Sequence, residues 1–155
     1  MSSIDYGARL DSLGIELDQP SPPVANYVNI TQSGNILFLA GKGPKDTSGG
    51  YIKGKLGQDL TVQEGYNAAH RTAVAQLSVL QDYLGDLNKV KQILKVKGMV
   101  NAIPEFTDHP EVINGYSDTM VDVFGDKGKH ARAAVGMGSL PRNIAVEIEM
   151  IVEIY

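Results

Sequence analysis

Arg132 stands inside His130-Ala-Arg-Ala-Ala-Val-Gly136, a run whose other members after the histidine are small or apolar and read as a strand. A guanidinium taken out of water among such neighbours is costly unless an anion pairs with it, so Arg132 requires a negatively charged partner. In Val146-Glu-Ile-Glu-Met150 and onward, alternation puts Glu147, Glu149 and Glu153 on the face opposite Val146, Ile148, Met150 and Val152. If the two strands carrying these residues pair, a carboxylate comes close to the guanidinium. Two readings weigh equally on spacing alone: an Arg-Glu pair within or between subunits, or a site for a small anionic ligand.

Other chemistries find less support. The chain has no cysteine, which removes disulfides, thiolate metal sites and a thiol nucleophile together. Gly49-Gly-Tyr-Ile-Lys-Gly54-Lys55 approaches a phosphate-binding loop, but Leu56 replaces the Ser or Thr that would follow, and neither a leading strand nor a following helix frames it. His70, His109 and His130 form no i,i+4 pair and lack the acidic neighbours of a metal site, so no metal is expected. Gly138-Ser139-Leu140 is not a nucleophile elbow, and Ser139 reads as a turn residue. The stripe Lys89, Lys91, Lys95 and Lys97 could follow a phosphate backbone, but a solvated strand face that resists edge pairing explains it better in a chain of net charge −4. No nucleic acid and no membrane partner are expected. Asn29-Ile30-Thr31 matches a glycosylation sequon, which has no meaning without secretion. The start at Met1 lacks a basic stretch and an apolar run, and no apolar run is long enough to span a bilayer; a cytoplasmic protein is the expectation.

The elements that must position these residues follow from periodicity. At 155 residues with 43% apolar and 21% charged, the chain suits one globular domain over 1–155. Ser3 reads as the N-cap of a helix from Ile4 to Leu13 with Gly14 past its end, followed by a proline-rich connector to about residue 22. Strands Tyr27 to Thr31 and Ile36 to Ala40 flank Gln32-Ser-Gly-Asn35 as a hairpin, and a long loop runs from Gly41 to Asp59. Thr61-Val-Gln-Glu64 is a capping box for a helix ending at Gly85, with Ala69, Ala73, Leu77, Leu80 and Leu84 on one face. A strand from Lys89 to about Asn101 carries Val90, Leu94 and Val96 against the odd-numbered lysines. A second long helix opens at Pro110, shows the stripe Val112, Tyr116, Met120 and Val123, and stops at Gly125. Strands Ala131 to Gly138 and Ala145 to Tyr155 complete the order α-ββ-α-β-α-ββ. The apolar stretch Ile36 to Ala40 and the small residues around Arg132 predict a sheet buried on both faces, with helices on one and a second subunit on the other.

The sequence also resembles a known family. His130-Ala-Arg-Ala-Ala-Val-Gly136, Ser139-Leu-Pro141 and Val146-Glu-Ile-Glu149 are similar in order and spacing to the Arg-Ser-x-Val, Leu-Pro and Glu-Ile-Glu signature of the Rid (reactive intermediate deaminase), YjgF or endoribonuclease L-PSP family. Ser33-Gly-Asn-Ile-Leu-Phe-Leu-Ala-Gly41 adds weaker support, and Gly54 to Thr61 with Val112-Ile-Asn-Gly115 looks like its chorismate mutase-like subgroup. The resemblance implies an α+β, chorismate mutase-like fold: a mixed sheet with two long helices on one face, assembled as a homotrimer with clefts between subunits. By position, Arg132 matches the arginine that grips a substrate carboxylate, Glu147 a cleft glutamate, and Tyr27, Gly41 and Asn114 other cleft-lining residues. Ala133 and Ala134 stand where many members carry Ser and Cys, Lys42 where glutamine is frequent, and Asn26-Tyr-Val-Asn29 where the deaminase branch has Pro-Tyr-Ser-Gln.

What the resemblance implies is hydrolytic deamination of 2-imino acids, with a small carboxylate-bearing metabolite as ligand and no cofactor. The rival is a non-catalytic trimer that binds small carboxylates or regulates partners; ribonuclease activity has no catalytic constellation behind it.

Overall fold

The computed structural model describes residues 3–155. Its elements are α1 (Tyr6–Ser12), β1 (Ile30–Ser33), β2 (Ile36–Lys42), α2 (Val62–Leu84), β3 (Val90–Asn101), α3 (His109–Phe124), β4 (Ala131–Met137) and β5 (Val146–Ile154), with short 3₁₀ turns at Leu87–Lys89, Gly125–Gly128 and Pro141–Asn143. The strands form one sheet in the order β1-β2-β5-β3-β4; β3 and β4 are parallel and every other pairing is antiparallel.

Local chemistry accounts for the boundaries. Thr61 caps α2 as expected: its hydroxyl accepts from Glu64 N while the Glu64 carboxylate accepts from Thr61 N, and Gly85 ends the helix at φ 76°. Asp5, not Ser3, caps α1, because its carboxylate accepts from Ala8 N; the helix therefore starts later than the sequence predicts. The hairpin turn is tighter than expected, since Ser33 pairs directly with Ile36 and Gly34 takes φ 58°.

Helices α2 and α3 cover one face of the sheet. Ala69, Ala73, Leu77 and Leu80 of α2 and Ile113, Tyr116, Met120 and Val123 of α3 bury themselves against Leu37, Leu39, Val96, Val100, Val146, Ile148, Met150 and Val152. Gly98 leaves room for Ile113, whose side chain lies 2.6 Å from where a Cβ would stand. In β3 the buried residue is Ile93 while Leu94 is half-exposed, the reverse of strict alternation. Two register shifts against β5, at Val90/Gln92 and Ile93/Lys95, turn the strand between them.

In the single chain the second face of the sheet is open, the face on which a second subunit is expected. The face away from the helices carries Phe38, 45% exposed, Val135, 37% exposed, and half-exposed Ile151, among Lys95, Lys97 and Glu149. No residue of β4 is fully buried, because β4 is an edge strand. No helix among the described residues is long and apolar enough to cross a membrane.

Candidate functional site

The strands carrying Arg132 and Glu147 do not pair, because β3 lies between β4 and β5. Arg132 is level with Val96, itself level with Met150, whereas Glu147 is level with Met99. Two strand spacings sideways and three residues lengthwise separate the two backbones by about 14 Å. The side chains also leave opposite faces. Arg132 lies beside buried Val96 and reaches α3, while Glu147 alternates with fully buried Val146 and Ile148 and so points away from the helices. Within one chain the predicted residues form two half-sites.

The first half-site is Arg132 at the sheet edge. Its Nη1 donates to Asn114 Oδ1 at 2.8 Å and to Ser117 Oγ at 3.1 Å, two neutral acceptors one turn apart on α3. The ion pairs among the described residues are Arg71–Asp18, Lys91–Glu153 and Lys129–Asp126, so no carboxylate lies within 4.0 Å of Arg132. The reading in which Arg132 belongs to an internal Arg-Glu pair is therefore overturned for the single chain. Ser117 and His130 were not predicted as part of this group. The available signals were the i,i+3 spacing of Asn114 and Ser117 on a helix and the i,i+2 spacing of His130 and Arg132 on a strand.

The second half-site is a cleft of about 440 Å³ where β2 and β5 meet, its walls including Tyr27, Gly41, Lys42, Arg142, Glu147 and Glu149. A register shift between Leu39 and Lys42 bulges β2 outward here. Buried Gln76 of α2 holds the bulge, its Nε2 donating to Ala40 O and Ile148 O, both at 3.0 Å. The amide cannot turn over without setting Oε1 against those carbonyls; Oε1 has no protein partner. Gly41 leaves room for Glu147 at the bulge, since a Cβ there would lie 3.1 Å from Glu147 Cγ and push that side chain aside by a few tenths of an ångström. Gln76→Leu is expected to strand two buried carbonyls, lower stability by about 2–4 kcal/mol and disturb the Gly41–Glu147 contact. Chemical denaturation of wild type and variant measures the loss.

Burial raises the Glu147 carboxyl above its ordinary pKa, and the nearby negative charge of Glu149 adds to the effect. Such a group takes up a proton more readily than a surface glutamate, as a base must. Burial lowers the Lys42 amine, which donates to Asn29 Oδ1 at 2.7 Å and to Ser21 O at 3.4 Å, tying the proline-rich connector to the cleft wall. Arg142 and Asn143 both adopt left-handed backbone, φ 55° and 58°. Asn101 Nδ2 donating to Asn143 Oδ1, and Gly54 N donating to Asn143 O, hold that turn at the cleft mouth.

Burial lowers the pKa of both His70 and His130 below the ordinary 6.5. The unfolded chain therefore binds protons at these positions first as pH falls, and the native state loses stability from about 6.5 down to the depressed values. Thermal melts between about pH 7.5 and about pH 5.5 should show this fall, reduced in a His70→Gln, His130→Gln double variant.

Helices on one face of a mixed five-stranded sheet, with the other face left open, make this an α+β protein of the chorismate mutase-like class. The family described as "YjgF/chorismate mutase-like, putative endoribonuclease" matches residues 7–154, and the chain belongs to it. Protein TCP17 of Trypanosoma cruzi is 44% identical over 148 residues, covering 95% of this chain and 92% of that protein. Among solved structures, Agrobacterium tumefaciens Atu1372, described as of unknown function, superimposes with a TM-score of 0.90 at 42% identity, covering 97% of this chain and 92% of that one. A Shewanella oneidensis protein called a "putative endoribonuclease" gives 0.92 at 28% identity, covering 96% and 99%.

Proposed function

We propose that this protein hydrolyses 2-imino acids and their enamine tautomers to 2-keto acids and ammonia, in clefts formed where subunits of a homotrimer meet. The observation that carries this reading is the Arg132 guanidinium, held by two neutral acceptors and, among the described residues, free of any carboxylate within 4.0 Å. With Nη1 occupied, Nε and Nη2 remain to receive a planar carboxylate through two parallel hydrogen bonds. A substrate anchored there needs a proton acceptor at its imine carbon, and the chain's raised-pKa carboxylate, Glu147, lies about 14 Å away on the other sheet face. A neighbouring subunit's Glu147 supplies it. The exposed Phe38 and Val135 give that neighbour an apolar surface to cover.

In the reaction, water adds to the C=N carbon while Glu147 accepts its proton; the C–N bond of the resulting carbinolamine then breaks, and nitrogen leaves as ammonia with protons returned by the same carboxyl. Tyr27, the Gly41 backbone and Asn114 complete the walls. Ribonuclease activity fits less well, because the cleft balances Glu147 and Glu149 against Lys42 and Arg142 and so offers a phosphate backbone no net positive surface.

The test generates 2-imino acids in place with an amino-acid oxidase and follows their decay. Wild type should accelerate it, and light scattering should give a trimer. Keto-acid binding without acceleration would replace the deaminase with a carboxylate-binding protein, a reading that Ala133 and Ala134, which offer no polar side chain, would favour. A stable monomer would remove the shared cleft.

A further inference from the structure

We propose that Ser117 and His130 are positioning residues for Arg132, forming a one-directional hydrogen-bond relay that fixes the guanidinium for its carboxylate; this rests on the function proposed above.

Each link of the relay forces the next. A guanidinium has donors only, so Ser117 Oγ, 3.1 Å from Arg132 Nη1, accepts there. The Ser117 hydroxyl proton then needs its own acceptor, and the group in reach is His130 Nε2 at 2.9 Å. Nε2 can accept only when the ring is neutral with its proton on Nδ1. That Nδ1 lies 2.7 Å from the Gly128 carbonyl, which can do nothing but accept. The chain therefore runs Arg132 to Ser117 to His130 to the backbone of the 125–128 turn. The charged group bearing on His130 is Arg132 itself, on β4; α3 presents a hydroxyl and the turn a carbonyl. Burial first, and that neighbouring cation in addition, hold the imidazole neutral and outweigh the Gly128 carbonyl, which favours the charged form.

The consequence is geometric. Both protons of Nη1 are used, by Asn114 and by Ser117, so the guanidinium plane is fixed at two points. Its remaining edge, Nε with Nη2, faces a ligand without first having to find its orientation. Ser117 and His130 touch neither substrate nor the reacting carbon; they act through Arg132.

Three measurements test this. Long-range ¹H–¹⁵N spectra of the wild-type protein at neutral pH should show His130 as the neutral Nδ1–H tautomer, the rarer form for a free imidazole. In imine hydrolysis, Ser117→Ala should raise KM about tenfold with little change in kcat, the loss of one hydrogen bond to an ion. Ser117→Thr, which restores the hydroxyl, should recover the low KM. His130→Gln, whose Oε1 can accept in place of Nε2, should keep KM lower than His130→Ala. A charged or Nε2–H imidazole, or Ser117→Ala and Ser117→Thr that melt lower but bind alike, would overturn the relay. Pyruvate binding by calorimetry separates the two levels. If Arg132→Ala abolishes binding while Ser117→Ala does not weaken it, the relay fails and the proposed function stands. If Arg132→Ala leaves binding and turnover intact, the proposed function itself fails.

Discussion

Arg132→Ala should lower kcat/KM for imine hydrolysis by about 100- to 1000-fold, equivalent to about 3–4 kcal/mol, the contribution of a bidentate charge-assisted contact. Arg132→Lys should fall between the two, because an ammonium keeps the charge but loses the planar fork. Melting temperature is the control that gives these values meaning. Arg132 has no carboxylate partner among the described residues of its own chain, so its removal leaves no buried charge behind and should cost at most about 1 kcal/mol of stability. A variant that melts far below wild type, or no longer forms the oligomer, would return Arg132 to the role of a structural ion-pair partner between subunits.

Glu147→Gln should lower kcat by about 100-fold or more, the usual contribution of a positioned base, while leaving carboxylate binding near the wild-type value. The pH profile separates this from a steric effect. Glu147 acts as the carboxylate, and its pKa is raised above 4.5 by burial and by Glu149, so activity should fall as pH drops through a point above 4.5. Glu149→Gln removes the neighbouring charge and should move that fall to lower pH with little loss at neutrality. The glutamine at 147 has no such acid limb. Gly41→Ala offers a steric counterpart, because its Cβ would stand 3.1 Å from Glu147 Cγ and displace the side chain.

The order of elements was legible because its signals are local. The Thr61–Glu64 capping box, the Gly85 and Gly125 stops and the 3.6-residue stripes of α2 and α3 are each decided within a turn or two of helix. Strand neighbours are decided by contacts far apart in sequence, which periodicity does not report. The last two strands look like a pair because a short loop joins them, yet β3 separates them. The condition for a carboxylate of β5 to approach Arg132, that the two strands pair, is therefore not met within one chain. Alternation also fails locally at Ile93 and Leu94, since a bulge adds a residue that no period-two pattern anticipates.

Of the candidate site, Arg132 and Glu147 were visible as ions among apolar residues, a cost that calls for a partner. Tyr27, Gly41 and Asn114 came from resemblance. The structure puts Tyr27 and Gly41 with Glu147 and puts Asn114 with Arg132. Gln76 left no sequence signal, because a buried amide that holds a bulge looks like any polar residue of a helix.

Subunit complementation tests the shared cleft most directly. Arg132→Ala and Glu147→Gln chains, each inactive alone, are refolded together in equal amounts and assayed for imine hydrolysis. If each cleft takes its arginine from one subunit and its glutamate from the next, random mixing leaves both intact in about a quarter of clefts, and about a quarter of wild-type activity should return. If the mixture stays as inactive as its parents although mixed oligomers have formed, the two residues do not work across a subunit boundary, and the account is contradicted.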